Sequence, residues 1–313
     1  MAPSPRRLVR GVRSDAKAVR KAVGRALRRP STYPGWLKEG LWTGMHIAMY
    51  PVGLLSEALE LDERSTFGNL SARSLALPNL NCDAASTPII MLHGYLHNRS
   101  GFMVMRRNLR RSGFRFVDTM NYNVIGNDIP RLAKQLAKRV EDDLQATGAD
   151  KVYLIGHSYG GLIARYYIQE LGGDQTVHTC VTMGTPHGGT YAAWVGRGRG
   201  AKALRPGSEF LLRLNRSARE MPVRFVSYYS NLDSLVLPAN NAKITNPKLR
   251  AKNILVKDLG HMSLLISRPV IRSVIQILSN PEDDFTGDTD ATVTPLPPRP
   301  GRANGRAARS QGA

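Results

Sequence analysis

The sequence predicts an α/β fold, with a mostly parallel sheet that is covered by helices on both faces. The first observation is that short apolar runs alternate with longer amphipathic segments between residues 88 and 278. The second is that these runs contain few polar residues, which is typical of strands buried on both sides of a parallel sheet. The third is size, because the roughly 250 residues between the two terminal segments suit one such domain.

The predicted elements follow one another in a regular order. Six apolar runs are interpreted as strands, at residues 88–92, 114–120, 151–155, 177–183, 223–229 and 253–256. Four segments are interpreted as helices, at residues 100–111, 128–145, 160–171 and 263–278. The second helix has the clearest apolar stripe at helical spacing, and Gly148 lies near its expected C-cap. Residues 190–215, between the fourth and fifth strands, are expected to form a small cap.

Composition divides the chain into four parts. Residues 1–30 form a basic arm, either an amphipathic helix or a solvated extension, since apolar residues recur there at helical spacing. Residues 31–85 contain an apolar segment and a linker with possible membrane contact, and residues 86–280 form the α/β domain. Residues 281–313 are rich in Pro and Gly and contain few large apolar side chains, so we expect a disordered tail.

Several classes of protein are excluded by composition. A hydrophobic content of 42% is too high for a wholly disordered chain. No uncharged apolar stretch reaches the roughly 18 residues of a clean membrane span, which excludes a polytopic membrane protein. Two cysteines exclude a disulfide scaffold and a Cys-rich zinc module. We expect neither a cofactor nor a metal.

The net charge of +20 suggests a polyanionic partner, either a nucleic acid or an anionic membrane surface. Close to half of that excess lies in residues 1–30, outside the predicted folded domain. Nothing in the sequence is typical of a recognition helix, a zinc finger or a base-stacking platform. Nucleic-acid binding is therefore a weak alternative. We expect two further basic clusters, at 99–115 and 197–205, to flank the entrance of the functional site. There they either meet anionic lipid headgroups or form a solvated face.

The apolar run at residues 41–55 is open to two interpretations. It contains His46 and Pro51 and is too short for a secure membrane span. We expect either a helical hairpin in the membrane interface or a helix packed on the folded domain. The basic start is not followed by the apolar core of a signal peptide, which favours a cytoplasmic protein, bound peripherally to the inner membrane face.

The strongest local motif is Gly-His-Ser-Tyr-Gly at residues 156–160, which follows a predicted strand and opens a predicted helix. A sharp strand-to-helix turn of this kind exposes a serine hydroxyl above the sheet edge, and its glycines keep the turn free of side chains. The helix N-terminus also favours negative charge that develops nearby. Ser158 is therefore the candidate nucleophile.

A serine nucleophile needs a base, and His261 is the histidine in the best position. It lies in the loop after the last predicted strand, at the sheet edge where Ser158 also lies. The orienting acid is either Asp233, which directly follows the fifth strand, or Asp258, which is three residues before His261. Asp258 also suits a local turn. We favour Asp233, which fits the chain order Ser, Asp, His.

An oxyanion needs two preplaced N–H donors. The backbone N–H of Tyr159, directly after the nucleophile, is one candidate. The other is the N–H of Tyr95, in the loop after the first strand, where Gly94 allows a close approach of the backbone.

Together these features resemble the α/β-hydrolase fold and, within it, bacterial lipases. The resemblance covers residues 86 to 279 and depends on five motifs, PIIMLHGY (88–95), GHSYGG (156–161), TMGTPHGGT (182–190), SNLDSLV (230–236) and DLGHMSLL (258–265). It implies a triad of Ser158, Asp233 and His261, with Tyr95 and Tyr159 as amide donors. It also implies that His187 is structural. The short cap departs from lipases with large lids.

The function that we predict is a serine carboxylic-ester hydrolase, which acts through an acyl-enzyme on lipid or other hydrophobic esters. Its expected partners are an ester substrate and an anionic membrane surface that contacts residues 1–30. An acyltransferase with the same triad is the enzymatic alternative, because the sequence does not distinguish water from another acyl acceptor.

Overall fold

The fold is seen in a computed structural model. It describes residues 82–281 apart from residues 96, 125 and 197, together with residues 39, 40, 44 and 290–293. The predictions for residues 1–30, for nearly all of 41–55 and for most of the tail lie outside the described residues. Among the described residues, no helix has the length and apolar character that crossing a bilayer requires.

In the part of the chain that the structure describes, the centre of the fold is a seven-stranded sheet in the order β2-β1-β3-β4-β5-β6-β7. Every neighbouring pair is parallel. The strands are β1 (Ile89–Leu92), β2 (Val117–Met120), β3 (Val152–His157), β4 (Val177–Met183), β5 (Arg224–Ser230), β6 (Lys252–Val256) and β7 (Asp290–Val293). The first six overlap the predicted runs, so the predicted α/β class and its parallel sheet are confirmed.

Helices connect these strands. They are α1 (Cys82–Ser86), α2 (Met103–Arg111), α3 (Ile129–Thr147), α4 (Tyr159–Glu170), α5 (Arg199–Ala203), α6 (Glu209–Arg216) and α7 (Arg268–Ser279). Short 3-10 helices occupy Arg99–Phe102, Tyr191–Trp194, Ala239–Ala242, Pro247–Leu249 and Met262–Leu265. The cap consists of the 3-10 helix Tyr191–Trp194 with α5 and α6.

Two apolar layers cover the sheet, one on each face. Alternate residues of β1 show the division, because Ile90 and Leu92 belong to one buried cluster and Ile89 and Met91 to the other. The first cluster includes side chains of α3 and α4, and the second includes side chains of α2 and α7. Burial on both faces explains why the strand sequences are almost continuously apolar.

The last predicted helix, 263–278, is in fact two elements. A 3-10 helix ends at Leu265, and α7 begins at Arg268 with Ser267 as its N-cap and Pro269 in its first turn. Proline has no N–H to donate and its ring clashes with the preceding turn, so one continuous helix through Pro269 is unfavourable. Proline is well tolerated in the first turn of a new helix.

The tail departs from the prediction at four residues. Residues 290–293 were expected to be disordered, but they form β7, which pairs with β6 from Asn253↔Asp290 to Val256↔Val293. The expectation depended on the average composition of 33 residues, which hides the short Ala-Thr-Val run of β7. Its β-branched residues suit a strand, and the edge of β6 offers backbone hydrogen-bond partners.

Both cysteines are free thiols, in different surroundings. Cys82 is exposed on α1, whereas Cys180 is buried in the middle of β4. Burial raises the pKa of the Cys180 thiol to about 12, although the charge of Arg165 opposes the shift.

Candidate active site

All of the predicted site residues follow strands that end at one edge of the sheet. Tyr95 follows β1, Ser158 follows β3, Asp233 follows β5 and His261 follows β6. Because parallel strands present their carboxyl ends together, the loops after these strands meet at the same edge. β4 lies between β3 and β5 in the sheet, so the site spans the central strands.

Ser158 forms a strained turn between β3 and α4. Its φ of 52° and ψ of −117° make it one of the few described non-glycine residues with positive φ. A conformation of this kind costs on the order of 1–3 kcal/mol and persists only where the surroundings enforce it. Its backbone N–H donates to the carbonyl of Met183 at the end of β4, at 2.9 Å.

Glycines make this turn sterically possible. A β-carbon on Gly160 would lie 2.2 Å from the carbonyl oxygen of Leu92 at the end of β1. One on Gly156 would lie 2.5 Å from Cα of Gly161. These separations are shorter than any real contact of a β-carbon, and the clashing atoms are backbone atoms. The Gly-x-Ser-x-Gly spacing therefore follows from crowding between α4 and the strand ends.

Asp233 and His261 form a buried hydrogen-bonded pair. His261 Nδ1 donates to Asp233 Oδ2 at 2.7 Å, and the two side chains are 2% and 0% exposed, respectively. Asp233 Oδ1 accepts from the backbone N–H of Leu235 at 2.9 Å and of Val236 at 2.8 Å. The carboxylate is thus oriented at both oxygens. A proton on Nδ1 leaves Nε2 of His261 as the basic nitrogen.

Asp258, the alternative acid, has a different set of contacts. It adopts a φ of 60°, and its backbone N–H donates to Asn231 Oδ1 at 2.8 Å. Its carboxylate accepts from Asn231 Nδ2 at 3.3 Å. These bonds tie the loop after β6 to the loop after β5, which is a role in a turn.

The environment of His261 favours its protonated form. Burial alone lowers the pKa of the imidazole, but the charge and hydrogen bond of Asp233, with the charge of Glu39, outweigh burial and raise the pKa above 6.5. A raised pKa makes the imidazole a stronger base than free histidine.

The loop after β1 lies against the serine. A β-carbon on Gly94 would be 3.2 Å from Ser158 Cβ, so glycine allows this close approach. His93 Nδ1 donates to the Gly94 carbonyl at 3.0 Å. That carbonyl shares a peptide plane with the N–H of Tyr95, so the bond fixes the direction of the predicted donor.

Three contacts between His93 and Tyr122 were not predicted from the sequence. The ring of Tyr122 stacks on the His93 ring with centroids 3.9 Å apart, and the Tyr122 N–H donates to His93 Nε2 at 3.3 Å. The Tyr122 hydroxyl also donates to the His93 carbonyl. Tyr122 follows β2, and only the order of strands in the sheet brings it next to the loop after β1.

His157, the residue before the candidate nucleophile, packs on the candidate base. Its ring centroid lies 4.6 Å from that of His261, and its Nε2 donates to the His261 carbonyl at 3.2 Å. It is completely buried. His157 therefore supports the backbone of His261, whereas Asp233 orients the side chain of His261.

His187 packs beneath the loop after β4. It is buried, and its Nε2 hydrogen-bonds with Thr182 Oγ1 at 3.0 Å. Burial, with a smaller effect of the charge of Arg165, lowers its pKa well below 6.5. His187 is therefore neutral at physiological pH and hydrogen-bonds with the end of β4.

A cavity of about 450 Å³ opens beside Tyr95. Its walls include Tyr95, the Asn127–Asp128 turn and residues 198–200 of the cap. Arg199 of α5 forms an ion pair with Asp128 across this region at 3.3 Å. The cap therefore closes one side of the cavity but leaves it accessible.

Three apolar side chains are exposed in the loops after β4 and β5. Trp194 is 57% exposed and Val195 is 90% exposed, both in the cap after β4, and Leu235 after β5 is 48% exposed. The two segments are joined, because Thr190 Oγ1 donates to the Leu235 carbonyl at 2.6 Å. We term Trp194, Val195 and Leu235 the apolar rim. Arg205 borders it, with its guanidinium 4.6 Å from the centroid of the Trp194 ring.

The basic cluster at residues 99–115 lies elsewhere than predicted. Arg106, Arg110 and Arg115 line a cavity beside Pro88 and Val117, where β1 and β2 begin. Strands begin at the edge of the sheet opposite to the candidate site. The expectation that this cluster flanks the entrance is therefore wrong for these three arginines, because α2 carries the chain back across the sheet before β2.

Comparison with known proteins agrees with the fold. Residues 87–200 match the family described as the α/β-hydrolase fold. A lipase from Bacillus licheniformis, in its mature form, superposes with a TM-score of 0.54 at 16% identity, over 65% of this chain and 94% of that one. The chain thus has the fold of the α/β hydrolases.

A segment of 57 residues is also similar in sequence to lipases. It is 49% identical over 57 residues to a triacylglycerol lipase from Pseudarthrobacter phenanthrenivorans, over 18% of this chain and 17% of that protein. A triacylglycerol lipase from Burkholderia plantarii is likewise 49% identical over 57 residues, 18% of this chain and 15% of the relative. The aligned segment thus spans about a sixth of each relative. Among the described residues, no group of three or more His, Cys, Asp or Glu side chains could hold a metal ion.

Proposed function

We propose that this protein is a serine carboxylic-ester hydrolase with Ser158, Asp233 and His261 as its triad. The observation that carries the proposal is the buried 2.7 Å bond between His261 and Asp233, at the sheet edge where Ser158 forms a strained turn. A histidine oriented by a carboxylate, at the same sheet edge as a serine in a sharp turn, is typical of sites in which a hydroxyl is activated as a nucleophile.

In the acylation step, His261 Nε2 takes the proton of the Ser158 hydroxyl as its oxygen attacks the ester carbonyl. The carbonyl oxygen becomes an oxyanion, which accepts hydrogen bonds from the backbone N–H groups of Tyr95 and Tyr159. The bond to the alcohol oxygen then breaks, and His261 gives its proton to the departing alcohol. In the second step, water loses a proton to His261 and attacks the acyl-enzyme. The acid leaves and Ser158 regains its proton.

The exposed apolar side chains after β4 and β5 support a substrate class. The exposed apolar rim of Trp194, Val195 and Leu235 suits a lipid or another hydrophobic ester. The similarity to two triacylglycerol lipases supports the same class.

An assay of a soluble p-nitrophenyl ester tests the proposal. Ser158→Ala should remove turnover while circular dichroism and thermal unfolding remain close to those of the wild type. Glu220→Gln is a suitable control, because this exposed carboxylate lies shortly before the start of β5, at the opposite edge of the sheet. Turnover by Ser158→Ala at the wild-type rate would contradict the triad. Product analysis with an added alcohol distinguishes hydrolysis from acyl transfer.

The basic arm gives a second, independent part of the proposal, namely that the enzyme works at an anionic membrane surface. Residues 1–30 carry ten basic side chains and one acidic one. A segment of that charge is attracted to anionic lipid by about 1 kcal/mol for each basic residue near the surface. Deletion of residues 1–30 should weaken binding to vesicles that contain phosphatidylserine and leave turnover of the soluble ester unchanged. Equal vesicle binding by both forms would contradict this part.

A further inference from the structure

Glu39 contacts the loop that carries His261. Its Oε1 accepts from the backbone N–H of Met262 at 2.6 Å. Its Oε2 accepts from the backbone N–H of Ser263 at 3.0 Å and from the Ser263 hydroxyl at 2.7 Å. Glu39 thus lies far from the triad in sequence, in the segment that the sequence analysis assigned to a linker, yet both of its oxygens bind the residues directly after the candidate base.

These contacts replace a missing cap. His261 is the N-cap residue of the 3-10 helix Met262–Leu265 and makes no side-chain cap bond, because its imidazole is bonded to Asp233. Met262 and Ser263 are buried, so their N–H groups would otherwise lose hydrogen bonds to water without compensation. A carboxylate at a helix N-terminus satisfies these donors and interacts favourably with the helix dipole.

Gly260 provides the space that Glu39 occupies. A β-carbon on Gly260 would lie 2.3 Å from Glu39 Cδ and 2.4 Å from its Oε2. Gly260 is not among the glycines with positive φ, so its backbone conformation alone does not require glycine. The absence of a side chain at this position therefore serves the approach of the carboxylate.

We propose that Glu39 is a positioning residue for His261. Glu39 lies outside residues 87–200, which match the α/β-hydrolase family, and it holds the loop of the candidate base in its working position. The proposal rests on the proposed function where it concerns catalysis. Two other titratable side chains face His261, namely Asp233 after β5 and His157 at the end of β3. Asp233 orients the imidazole of His261, and His157 donates to the His261 carbonyl. Glu39 binds the backbone N–H groups of the next two residues, Met262 and Ser263.

The negative charge of Glu39 adds a second effect. Burial lowers the pKa of His261, and the charges of Asp233 and Glu39 together raise it. Removal of the Glu39 charge should therefore lower the pKa of His261. If Glu39 were only a structural tether, the same substitution would leave that pKa unchanged.

Three variants separate these effects in the full-length protein. Glu39→Gln keeps the size of the side chain and loses its charge, Glu39→Asp keeps the charge on a shorter stem, and Glu220→Gln is the control for the loss of a remote charge. Glu39→Gln should reduce kcat by between about tenfold and about a hundredfold, the range expected for a base displaced by up to about 1 Å. KM should change little, and Glu39→Asp should recover part of the loss.

The titration of the His261 ring, followed by NMR of the imidazole protons, gives a readout that does not require turnover. Its midpoint should fall in Glu39→Gln and remain unchanged in Glu220→Gln. A Glu39→Gln variant with a lower Tm but with wild-type kcat and an unchanged midpoint would overturn the proposal. If Ser158→Ala kept its activity, the proposed function would fail, and this titration would still decide the contact of Glu39 with the His261 loop.

Gly260→Ala provides a test that leaves Glu39 itself intact. The added methyl group should push the carboxylate away. It should reduce kcat about as much as removal of the carboxylate in a Glu39→Ala variant. In the Glu39→Ala background, the same methyl group should cost little more, because it meets no carboxylate. If the double variant lost kcat by the product of the two single fold-changes, the proposal would be overturned, because such additivity in free energy indicates two independent sites.

Discussion

Gly184 lies directly against His261. A β-carbon on Gly184 would be 2.9 Å from His261 Nδ1 and 3.1 Å from Asp233 Oδ2, and the residue has a φ of 54°. The loop after β4 thus passes so close to the Asp233–His261 bond that only a hydrogen atom fits between the backbone and the pair. This explains one glycine of the Thr-Met-Gly-Thr-Pro-His-Gly-Gly motif at residues 182–189 in physical terms.

Gly184→Ala should separate Asp233 from His261 and lower kcat by about a hundredfold or more, since a displacement of about 1 Å has that effect. Kinetics on the soluble ester measure this. The matched control is Gly172→Ala, because Gly172 also has a positive φ of 78° but no atom lies within 4 Å of its missing β-carbon. Both variants should lose about 1–2 kcal/mol of stability from backbone strain, but only Gly184→Ala should lose activity. Equal kcat in both variants would contradict the argument.

Asp233→Asn should lower kcat by about 10⁴-fold, because an amide can orient the imidazole in the wrong tautomer. The carbonyl oxygen of the new side chain can still accept from Leu235 and Val236, so the fold should survive. Asp258→Asn is the control, since Asp258 binds Asn231 and asparagine tolerates its positive φ. Comparison of kcat in the two variants distinguishes the two acids. A greater loss in Asp258→Asn would reverse their roles.

The pH dependence of kcat/KM should show the raised pKa of His261. The base must be neutral in the free enzyme, so activity should fall as the pH decreases through that pKa, which lies above 6.5. Burial opposes this shift, but Asp233 and Glu39 outweigh it. Loss of the Asp233 charge should move the acidic limb to lower pH, and Asp258→Asn should leave it in place. An acidic limb below pH 6.5 in the wild type would contradict this electrostatic argument.

The apolar rim should matter for aggregated substrates only. Trp194→Ala and Val195→Ser should reduce turnover of an emulsified ester several-fold and leave turnover of a soluble short-chain ester nearly unchanged. Leu212→Ala is the control, because Leu212 is exposed to a similar degree on α6, which contacts the far end of α4 through Gln169 and the Leu214 carbonyl. Equal effects of all three variants on the emulsion would show that the rim has no special role.

The order and type of the main elements could be predicted because the pattern is strong where strands are buried on both faces. The residues at which a helix ends or an additional strand forms were harder to predict. Pro269 divides the last helix, and β7 depends on an edge of β6 that a composition average does not reveal. Both departures come from tertiary or local backbone chemistry that acts on a few residues.

The site was predictable to the extent that its residues follow strands. Ser158, Asp233 and His261 were placed by their strand ends and by chain order. The supporting contacts of Tyr122, His157 and Glu39 depend on which loops meet in space. Glu39 in particular lies in a segment without a motif, so no local signal indicated that it contacts the His261 loop.

Because the two cysteines differ in burial, the native chain can be labelled with a fluorophore at one of them. Cys180, buried and with a pKa of about 12, should react slowly with maleimides, whereas the exposed Cys82 should react readily. A single fluorophore can therefore be attached without mutagenesis, on the short helix that precedes β1. Its emission and anisotropy would report vesicle docking in real time while the residues of the proposed triad remain unmodified.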